Sequence, residues 1–262
     1  MKTKENKFML IIFPIILAVL LTIPFYVTDL DIAWQKLFYK EGKWYLDNLK
    51  IVKFFYNYGP VPGILSALIG VVFYILSFFI SSFRDYRKIA LFVFLYMLVG
   101  SGIIVNAIFK EYWGRPRPRQ IVEFGGEANY IPPVKKGKLV LSEKSEKMLE
   151  TKQGAVGWDK FRDLYKIKGK YNSFPAGHAS VGFFMMFPFF YVKKRKTRLF
   201  WLYFGIIYGL IMGIGRNIQG GHFLSDVIWA GFMMYFTGIA LYYMFGFDKS
   251  VLYKKKRNHI RL

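Results

Sequence analysis

The stretch GRNIQGGHFLSD, residues 215 to 226, lies between two long apolar runs and carries three side chains suited to chemistry, Arg216, His222 and Asp226. His222 and Asp226 are four positions apart, so a helix over this stretch would present both on one face within about one turn. A carboxylate in that place could hold one ring nitrogen of the imidazole and leave the other free. Taken alone, the stretch also fits a turn at a membrane interface with a satisfied histidine.

The composition of the whole chain favours a membrane protein. Its 262 residues are 54% hydrophobic and 20% aromatic, which is too apolar for an ordinary soluble domain of this size. A formal charge of +22 would indicate nucleic-acid binding in a soluble chain. Here the lysines and arginines lie between apolar runs, so membrane topology explains many of them and no nucleic-acid partner is expected. The absence of cysteine excludes disulfides and thiolate metal sites.

Six apolar runs are about long enough to cross a bilayer as helices. They cover residues 8–28, 60–82, 89–109, 176–192, 199–214 and 223–247. We therefore predict an all-α integral membrane protein in which residues 1–262 form one domain, a bundle of six transmembrane helices. Residues 29–59 mix aromatics with lysines, which is typical of a segment at the membrane interface. The polar loop 120–172 is long enough to be functional, and two short amphipathic helices are predicted within it, over 142–152 and 158–168.

Positive charge in the short connections predicts the orientation of the bundle. The basic segments MKTKENK, FRDYRK and KKRKTR and the basic C-terminal tail alternate with the other connections, so all four fall on one side of the membrane. Short basic segments are retained in the cytoplasm, and both termini are therefore predicted to be cytoplasmic. The opposite face receives residues 29–59, 110–175 and 215–222.

The stretch KEYWGRPRPR, residues 110 to 119, brings dense positive charge to that opposite face. Its cations are Lys110, Arg115, Arg117 and Arg119. Guanidinium groups bind phosphate oxygens in pairs and lysine adds a point charge, while the prolines between the arginines stiffen the backbone that presents them. We expect a phosphate site; for this cluster alone, an anchor to anionic lipid headgroups is the alternative.

The stretch SFPAGHAS, residues 173 to 180, begins the fourth predicted span on the same face. Pro175 suits the first turn of a helix, and Gly177 lets the backbone approach a ligand closely. The N–H groups at a helix start would face an anion, and His178 would stand beside that anion with its ring able to donate a proton. Taken alone, His178 also fits a histidine that caps an interfacial helix.

Together the three stretches supply what phosphoryl transfer requires: cations around the phosphate oxygens, a nucleophile, and an acid for the leaving oxygen. His222 is the predicted nucleophile, oriented by Asp226, and its attack on phosphorus gives a phosphohistidine. His178 would protonate the leaving group and then activate water. A two-metal mechanism is disfavoured because Asp226 is the only acidic residue in the second and third stretches, so no metal is expected.

The three stretches resemble the motifs of the type 2 phosphatidic acid phosphatases, a superfamily with a six-helix membrane core and histidine chemistry. Its motifs read lysine, six residues, Arg-Pro; then Pro-Ser-Gly-His; then Ser-Arg, five residues, His, three residues, Asp. The matching residues, in that order, are Lys110, Arg117 and Pro118; Pro175, Gly177 and His178; and Arg216, His222 and Asp226. The resemblance covers most of the chain from about residue 60 onward.

The resemblance implies roles for these positions. Phosphate is bound by Lys110, Arg117 and Arg216, with Ala176 and Gly177 lying against it. The two histidines and the aspartate keep the roles given above, and no metal or organic cofactor is implied. Two positions depart from the motifs, since Ala176 and Gly215 each replace a serine. The first change leaves only backbone donors in place of a hydroxyl, and one hydrogen bond to a charged group is worth about 1.5 to 3 kcal/mol.

The expected substrate is a phosphorylated membrane lipid, since the third span delivers the cations to headgroup level. GRPRP, the EFGG that follows it and the QGGHFLSD form of the third motif resemble bacterial lipid A phosphatases that remove the 1- or 4′-phosphate. This predicts an enzyme of the bacterial inner membrane with a periplasmic active site and no obligate protein partner. Undecaprenyl diphosphate, phosphatidylglycerol phosphate, phosphatidic acid and phosphoryl transfer to another lipid stay open, as does a non-catalytic binder or transporter of anionic lipids.

Overall fold

The computed structural model describes residues 8–137 and 170–248, which are mostly helical. The α-helices are α1 (Phe13–Val27), α2 (Leu30–Lys36), α3 (Lys50–Tyr58), α4 (Val61–Phe79), α5 (Arg87–Leu95), α6 (Lys110–Tyr112), α7 (Gly177–Phe184), α8 (Arg195–Ile218) and α9 (Leu224–Met244). π-Helical segments cover Phe8–Ile12 and Tyr96–Phe109, and 3-10 turns cover Ser81–Tyr86, Pro118–Gln120, Val122–Phe124 and Phe187–Phe190. Strands β1 (Tyr39–Lys40) and β2 (Lys43–Trp44) form an antiparallel hairpin.

Five helical segments of the described chain are long and apolar enough to cross a membrane. They are Phe8–Val27, Lys50–Phe79, Ser81–Tyr112, Arg195–Ile218 and Leu224–Met244. Five of the six predicted runs overlap these segments, and the prediction of a mostly helical chain is confirmed. Helices of this length and composition are those expected of a helical membrane protein.

The run 176–192, predicted to be the fourth span, does not form one long helix. Helix α7 ends at Phe184, and a 3-10 turn follows over Phe187–Phe190. Pro188 lies in that turn, where it has no N–H to donate to an α-helical ladder. The segment packs against α8, α9 and the π-helical segment Tyr96–Phe109, and most of its side chains are buried. The structure therefore shows an inner element of the bundle here, and the count of six spans stays a prediction.

The ends of α8 and α9 place the residues of the opening stretch. Helix α8 continues to Ile218, so Arg216 lies in its last turn, and α9 starts at Leu224 with Asp226 in its first turn. His222 lies in the short connection between them, so it does not share a helical face with Asp226 as the spacing predicted. Gly220 in this connection has a φ of 60°, and a Cβ atom there would lie 2.4 Å from the Trp44 ring. This turn therefore requires glycine.

The segment predicted to lie at the membrane interface, 29–59, forms α2, the hairpin and α3. Part of it packs against the end of the bundle that holds the three stretches. Ile32 of α2 joins a buried apolar cluster with Ile121, Phe124 and Phe223. The amphipathic helices predicted for 142–152 and 158–168, the first seven residues and the tail from 249 lie outside the described residues.

Candidate active site

The three stretches contact one another at one end of the bundle. The backbone N–H of Ala176 donates to the carbonyl oxygen of Asp226 at 3.1 Å, which joins the second stretch to the third. The N–H of Arg119 donates to the carbonyl oxygen of Gly220 at 3.2 Å, which joins the first to the third. The structure thus brings together the segments that membrane topology predicted to share one face.

His222 is buried, with 1% of its surface exposed, and its ring has a defined partner. Its Nδ1 atom lies 2.6 Å from the backbone carbonyl oxygen of Ser173. A carbonyl oxygen only accepts hydrogen bonds, so Nδ1 must carry a proton and donate it. In the neutral ring Nε2 is then unprotonated, and its lone pair is available for nucleophilic attack.

Asp226 is fully buried and lies beside this ring. Its Oδ2 atom accepts hydrogen bonds from the Ser173 hydroxyl at 2.6 Å and from the N–H of Phe223 at 2.8 Å. The distance from Oδ2 to Nδ1 of His222 is 3.8 Å, which is longer than a hydrogen bond. The Ser173 carbonyl therefore orients the imidazole directly, while Asp226 acts through its charge and by holding Ser173. Ser173 was not singled out from the sequence, although it opens the SFPAGHAS stretch.

The surroundings of His222 keep its ring neutral. The pKa of His222 is lowered to about 3: burial is the largest cause, Asp226 opposes it, and the charges of Arg216 and Arg117 add to the lowering. A pKa lowered in this way favours the unprotonated imidazole near neutral pH. The lone pair of Nε2 is therefore present without any proton having to be removed first.

Lys110 and Arg117, two predicted phosphate-binding cations, lie near the start of α7. The Nζ atom of Lys110 is 3.3 Å from Oδ1 of Asn106, and Nε of Arg117 donates to Oδ1 of Asn172 at 3.0 Å. A Cβ atom at Gly177 would lie 3.1 Å from Nζ of Lys110, so the missing side chain lets the cation approach the helix start. Burial and the neighbouring charge of Arg119 lower the pKa of Arg117.

Arg216, the third predicted cation, reaches the same place from the end of α8. It is 8% exposed, and Nη1 donates to Oε1 of Gln219. Its guanidinium carbon lies 4.7 Å from the centre of the Tyr56 ring. Within the described chain, its Nε atom is buried without a hydrogen-bond partner. A Cβ atom at Gly221 would lie 2.5 Å from Nη2, so glycine at that position leaves room for the guanidinium.

His178 is the second residue of α7 and is half-buried among these cations. The positive charges of Arg216, Lys110 and Arg117 all act on its ring. The imidazole stacks on the ring of Tyr56, with 4.9 Å between ring centres and 13° between planes. Tyr56 therefore contacts both a predicted acid and a predicted phosphate ligand. The sequence offered no signal for it beyond its place among other interfacial aromatics.

Replacement of Tyr56 tests the importance of this contact. We expect Tyr56→Leu to lower kcat/KM for phosphate release roughly tenfold, because ring contacts to a cation contribute about 0.5 to 2 kcal/mol. Tyr56→Phe keeps the ring and should stay close to the wild type. Tyr58→Leu is the matched control, since Tyr58 lies on the same helix and is 61% exposed. Equal losses for Tyr56→Leu and Tyr58→Leu would contradict a specific role.

The two positions that depart from the family motifs differ in their surroundings. Ala176 is fully buried, and its N–H is already used in the bond to Asp226. It is therefore not the backbone donor to phosphate that the sequence suggested; the N–H groups that have no partner within the helix begin at Gly177. A Cβ atom at Gly215 would meet nothing within 4 Å, so the missing serine leaves open space there.

Arg115 does not belong to the phosphate-facing cluster in which the sequence placed it. It is fully buried behind the site, and Nη1 donates to the carboxylate of Asp226 and to the Ser225 hydroxyl. Nη2 donates to Oδ2 of Asp31 at 2.8 Å, and Nε donates to the carbonyl oxygen of Ile131 at 2.8 Å. Burial alone would lower the pKa of Arg115, but Asp226 and Asp31 outweigh that effect and raise it. Two buried carboxylates thus turn this arginine inward.

Comparisons with known proteins agree with the motifs. The model of the PAP2 superfamily matches residues 89–249. The chain is 28% identical over 234 residues to the lipid A 4′-phosphatase of Francisella tularensis subsp. novicida (strain U112), which covers 87% of this chain and 88% of the relative. A stretch of 35 residues, 13% of this chain and 14% of the relative, is 49% identical to the lipid A 4′-phosphatase of Rhizobium etli. No solved structure matches the chain significantly.

Proposed function

Since the chain belongs to the PAP2 superfamily, we propose that it is a lipid A phosphatase that works through a phosphohistidine intermediate. The family and the long match to a lipid A 4′-phosphatase support a lipid phosphatase. Both named relatives act on the 4′-phosphate, so we propose this group as the one removed, with the 1-phosphate as the alternative position.

His222 is the proposed nucleophile, and the contact between its Nδ1 and the Ser173 carbonyl carries this proposal. Because Nδ1 donates there, the lone pair of Nε2 attacks phosphorus and forms a P–N bond while the bond from phosphorus to the lipid oxygen breaks. His178 gives its proton to that oxygen, so the lipid leaves as an alcohol. The enzyme is left with a phosphorylated His222 and a neutral His178.

Water completes the proposed cycle. His178 takes a proton from a water molecule, and the oxygen of that water attacks phosphorus as the P–N bond breaks. Inorganic phosphate leaves, Nε2 of His222 regains its lone pair, and His178 regains its proton. The steps as written use only side chains of this chain and water.

Lys110, Arg117 and Arg216 are the proposed phosphate ligands. Their charges would compensate the charge on the phosphoryl oxygens in both steps. Gly177 would contribute through the N–H groups at the start of α7, which point toward an anion at a helix end. His178 would then depend on the bound phosphate for its proton, since a dianion offsets the cations around the ring.

The proposed location is the bacterial inner membrane. The apolar helices described above would cross it, with both termini in the cytoplasm and the site facing the periplasm, as the basic connections predict. A site at the end of the bundle would meet the phosphate of a lipid at headgroup level, where the acyl chains can stay in the bilayer.

Mass spectrometry of lipid A after incubation with the purified protein in detergent tests this function. We expect the loss of one phosphate, placed by fragmentation at the 4′-position, with EDTA present throughout. The same reaction should be run with undecaprenyl diphosphate, phosphatidylglycerol phosphate and phosphatidic acid. A preference for one of these would overturn lipid A as the substrate, and loss of activity in EDTA would overturn the mechanism as written.

A binder or transporter of anionic lipids would give a different result. Such a protein would bind lipid A without phosphate release, and His222→Gln would leave binding or flux unchanged. Phosphate that appears on a second lipid instead of in solution would identify a phosphotransferase. Each of these results would replace the proposed hydrolysis.

A further inference from the structure

Helix α2 precedes the part of the chain that the family model matches, residues 89–249, yet it lies directly against the candidate site. Three of its polar side chains, Asp31, Trp34 and Gln35, are hydrogen-bonded to residues in the connection between α8 and α9 or in the helix turns on either side of it. Asp31 and Gln35 are both fully buried. A helix that simply rests on a membrane surface would direct such groups toward water, because burying them without partners is costly.

Gln35 and Trp34 hold the connection that carries His222. Nε2 of Gln35 donates to the backbone carbonyl oxygen of His222 at 2.7 Å. The same oxygen accepts a second hydrogen bond, at 2.8 Å, from Nδ2 of Asn217 in the last turn of α8. Nε1 of Trp34 donates to Oδ1 of Asn217 at 2.9 Å, which fixes the orientation of that amide. Two donors therefore hold the backbone carbonyl of His222, and α2 supplies one of them and supports the other.

Asp31 holds the residues that follow His222. Its Oδ1 atom accepts a hydrogen bond from the N–H of Ser225 at 3.0 Å, and its Oδ2 atom accepts one from the Ser225 hydroxyl. Oδ2 also accepts from Arg115 at 2.8 Å and from the Tyr130 hydroxyl at 3.2 Å. Asp31 thus fixes the start of α9 and shares Arg115 with Asp226.

We propose that α2 is a positioning element for the nucleophile, and that Gln35 is the residue through which it acts most directly on His222. Gln35 sets where the backbone of His222 lies, and thereby the distance from Nδ1 of His222 to the Ser173 carbonyl oxygen. While that hydrogen bond is kept, Nδ1 stays protonated and Nε2 keeps its lone pair. Gln35 touches neither phosphate nor lipid in this role. The inference deepens the proposed function and rests on His222 as the nucleophile.

Gln35→Met tests the proposal, since it keeps the length of the side chain and removes the donor. We expect kcat for phosphate release to fall roughly tenfold while KM stays within about twofold, because the phosphate-binding cations are untouched. ¹⁵N-histidine labelling gives a second readout, because the chain has only three histidines. The signals of His222, assigned by their loss in His222→Gln, should show a protonated Nδ1 in the wild type and a mixture of ring forms in Gln35→Met.

Tyr235→Phe is the matched control. It removes another hydrogen bond from a side chain to a carbonyl oxygen, from the Tyr235 hydroxyl to Leu10 at 3.0 Å. Tyr235 is nine residues beyond Asp226 on α9, which is about 13 Å along the helix. This variant should leave kcat and the His222 signals unchanged even where it lowers the melting temperature.

Two results would overturn the proposal. One is an equal loss of kcat in Gln35→Met and Tyr235→Phe, and the other is an unchanged set of His222 signals in Gln35→Met. Failure of the proposed function is distinguishable, because a wild-type protein that releases no phosphate still reports the ring form of His222. In that case the ¹⁵N signals alone decide whether α2 positions the imidazole.

Discussion

His222→Gln is expected to lower phosphate release by a factor of about 10⁴ or more, because loss of a nucleophile removes the covalent route altogether. Glutamine can still donate an amide hydrogen to the Ser173 carbonyl, so the connection between α8 and α9 should keep its shape. Lys110, Arg117 and Arg216 are untouched, and binding of lipid A should therefore persist. The measurement is release of inorganic phosphate from lipid A, paired with a binding assay on the same preparation.

His259→Gln is the control for this experiment, since it makes the same substitution at the histidine of the basic tail, outside the three stretches. It should keep wild-type activity. His178→Gln adds a second test: His178 is the proposed acid of the first step and the base of the second, so its loss should slow both steps and lower phosphate release while binding of lipid A persists. Residual activity of His222→Gln within tenfold of the wild type would exclude His222 as the nucleophile.

The positions of the three stretches could be predicted because each depends on local signals. Apolar runs mark where helices cross the bilayer, and short basic segments mark which connections share a side. These two rules were enough to bring KEYWGRPRPR, SFPAGHAS and GRNIQGGHFLSD together, and the structure joins them by backbone hydrogen bonds. The spacing between His222 and Asp226 was less informative, because a turn and not a helix carries the histidine.

The partners within the site could not be predicted because they are far apart in the chain. Arg115 and Asp31 are separated by 84 positions, and Gln35 and His222 by 187. In the sequence, Asp31 and Gln35 look like ordinary polar residues of an interfacial segment. The four cations of KEYWGRPRPR also look alike, so the sequence does not show which of them is buried. The run 176–192 is as apolar as a membrane span. Hydropathy does not show that Pro188 interrupts the helix, or that neighbouring helices bury this segment.

Arg115→Met is expected to destabilise the protein by about 3 to 5 kcal/mol, because it leaves two buried carboxylates without their counter-ion. Both Asp31 and Asp226 are fully buried, and each forms an ion pair with Arg115. Methionine fills much of the volume but offers no hydrogen-bond donor to either. The measurement is thermal unfolding of the purified protein in detergent. Arg119→Met is the control, since Arg119 is exposed in the same stretch and its loss should cost little.

Arg115→Lys separates the two roles that the sequence and the structure assign to this arginine. Lysine keeps one charge but has no planar fork, so it can meet only one of the two carboxylates well. A buried counter-ion therefore predicts that stability falls in the order wild type, Arg115→Lys, Arg115→Met, with KM for lipid A unchanged in the folded fraction. A phosphate ligand predicts the reverse: a KM that rises across the same series while the melting temperature stays constant. The second pattern would show that Arg115 binds phosphate, as the sequence predicted. It would contradict a role for Arg115 as the buried counter-ion of Asp31 and Asp226.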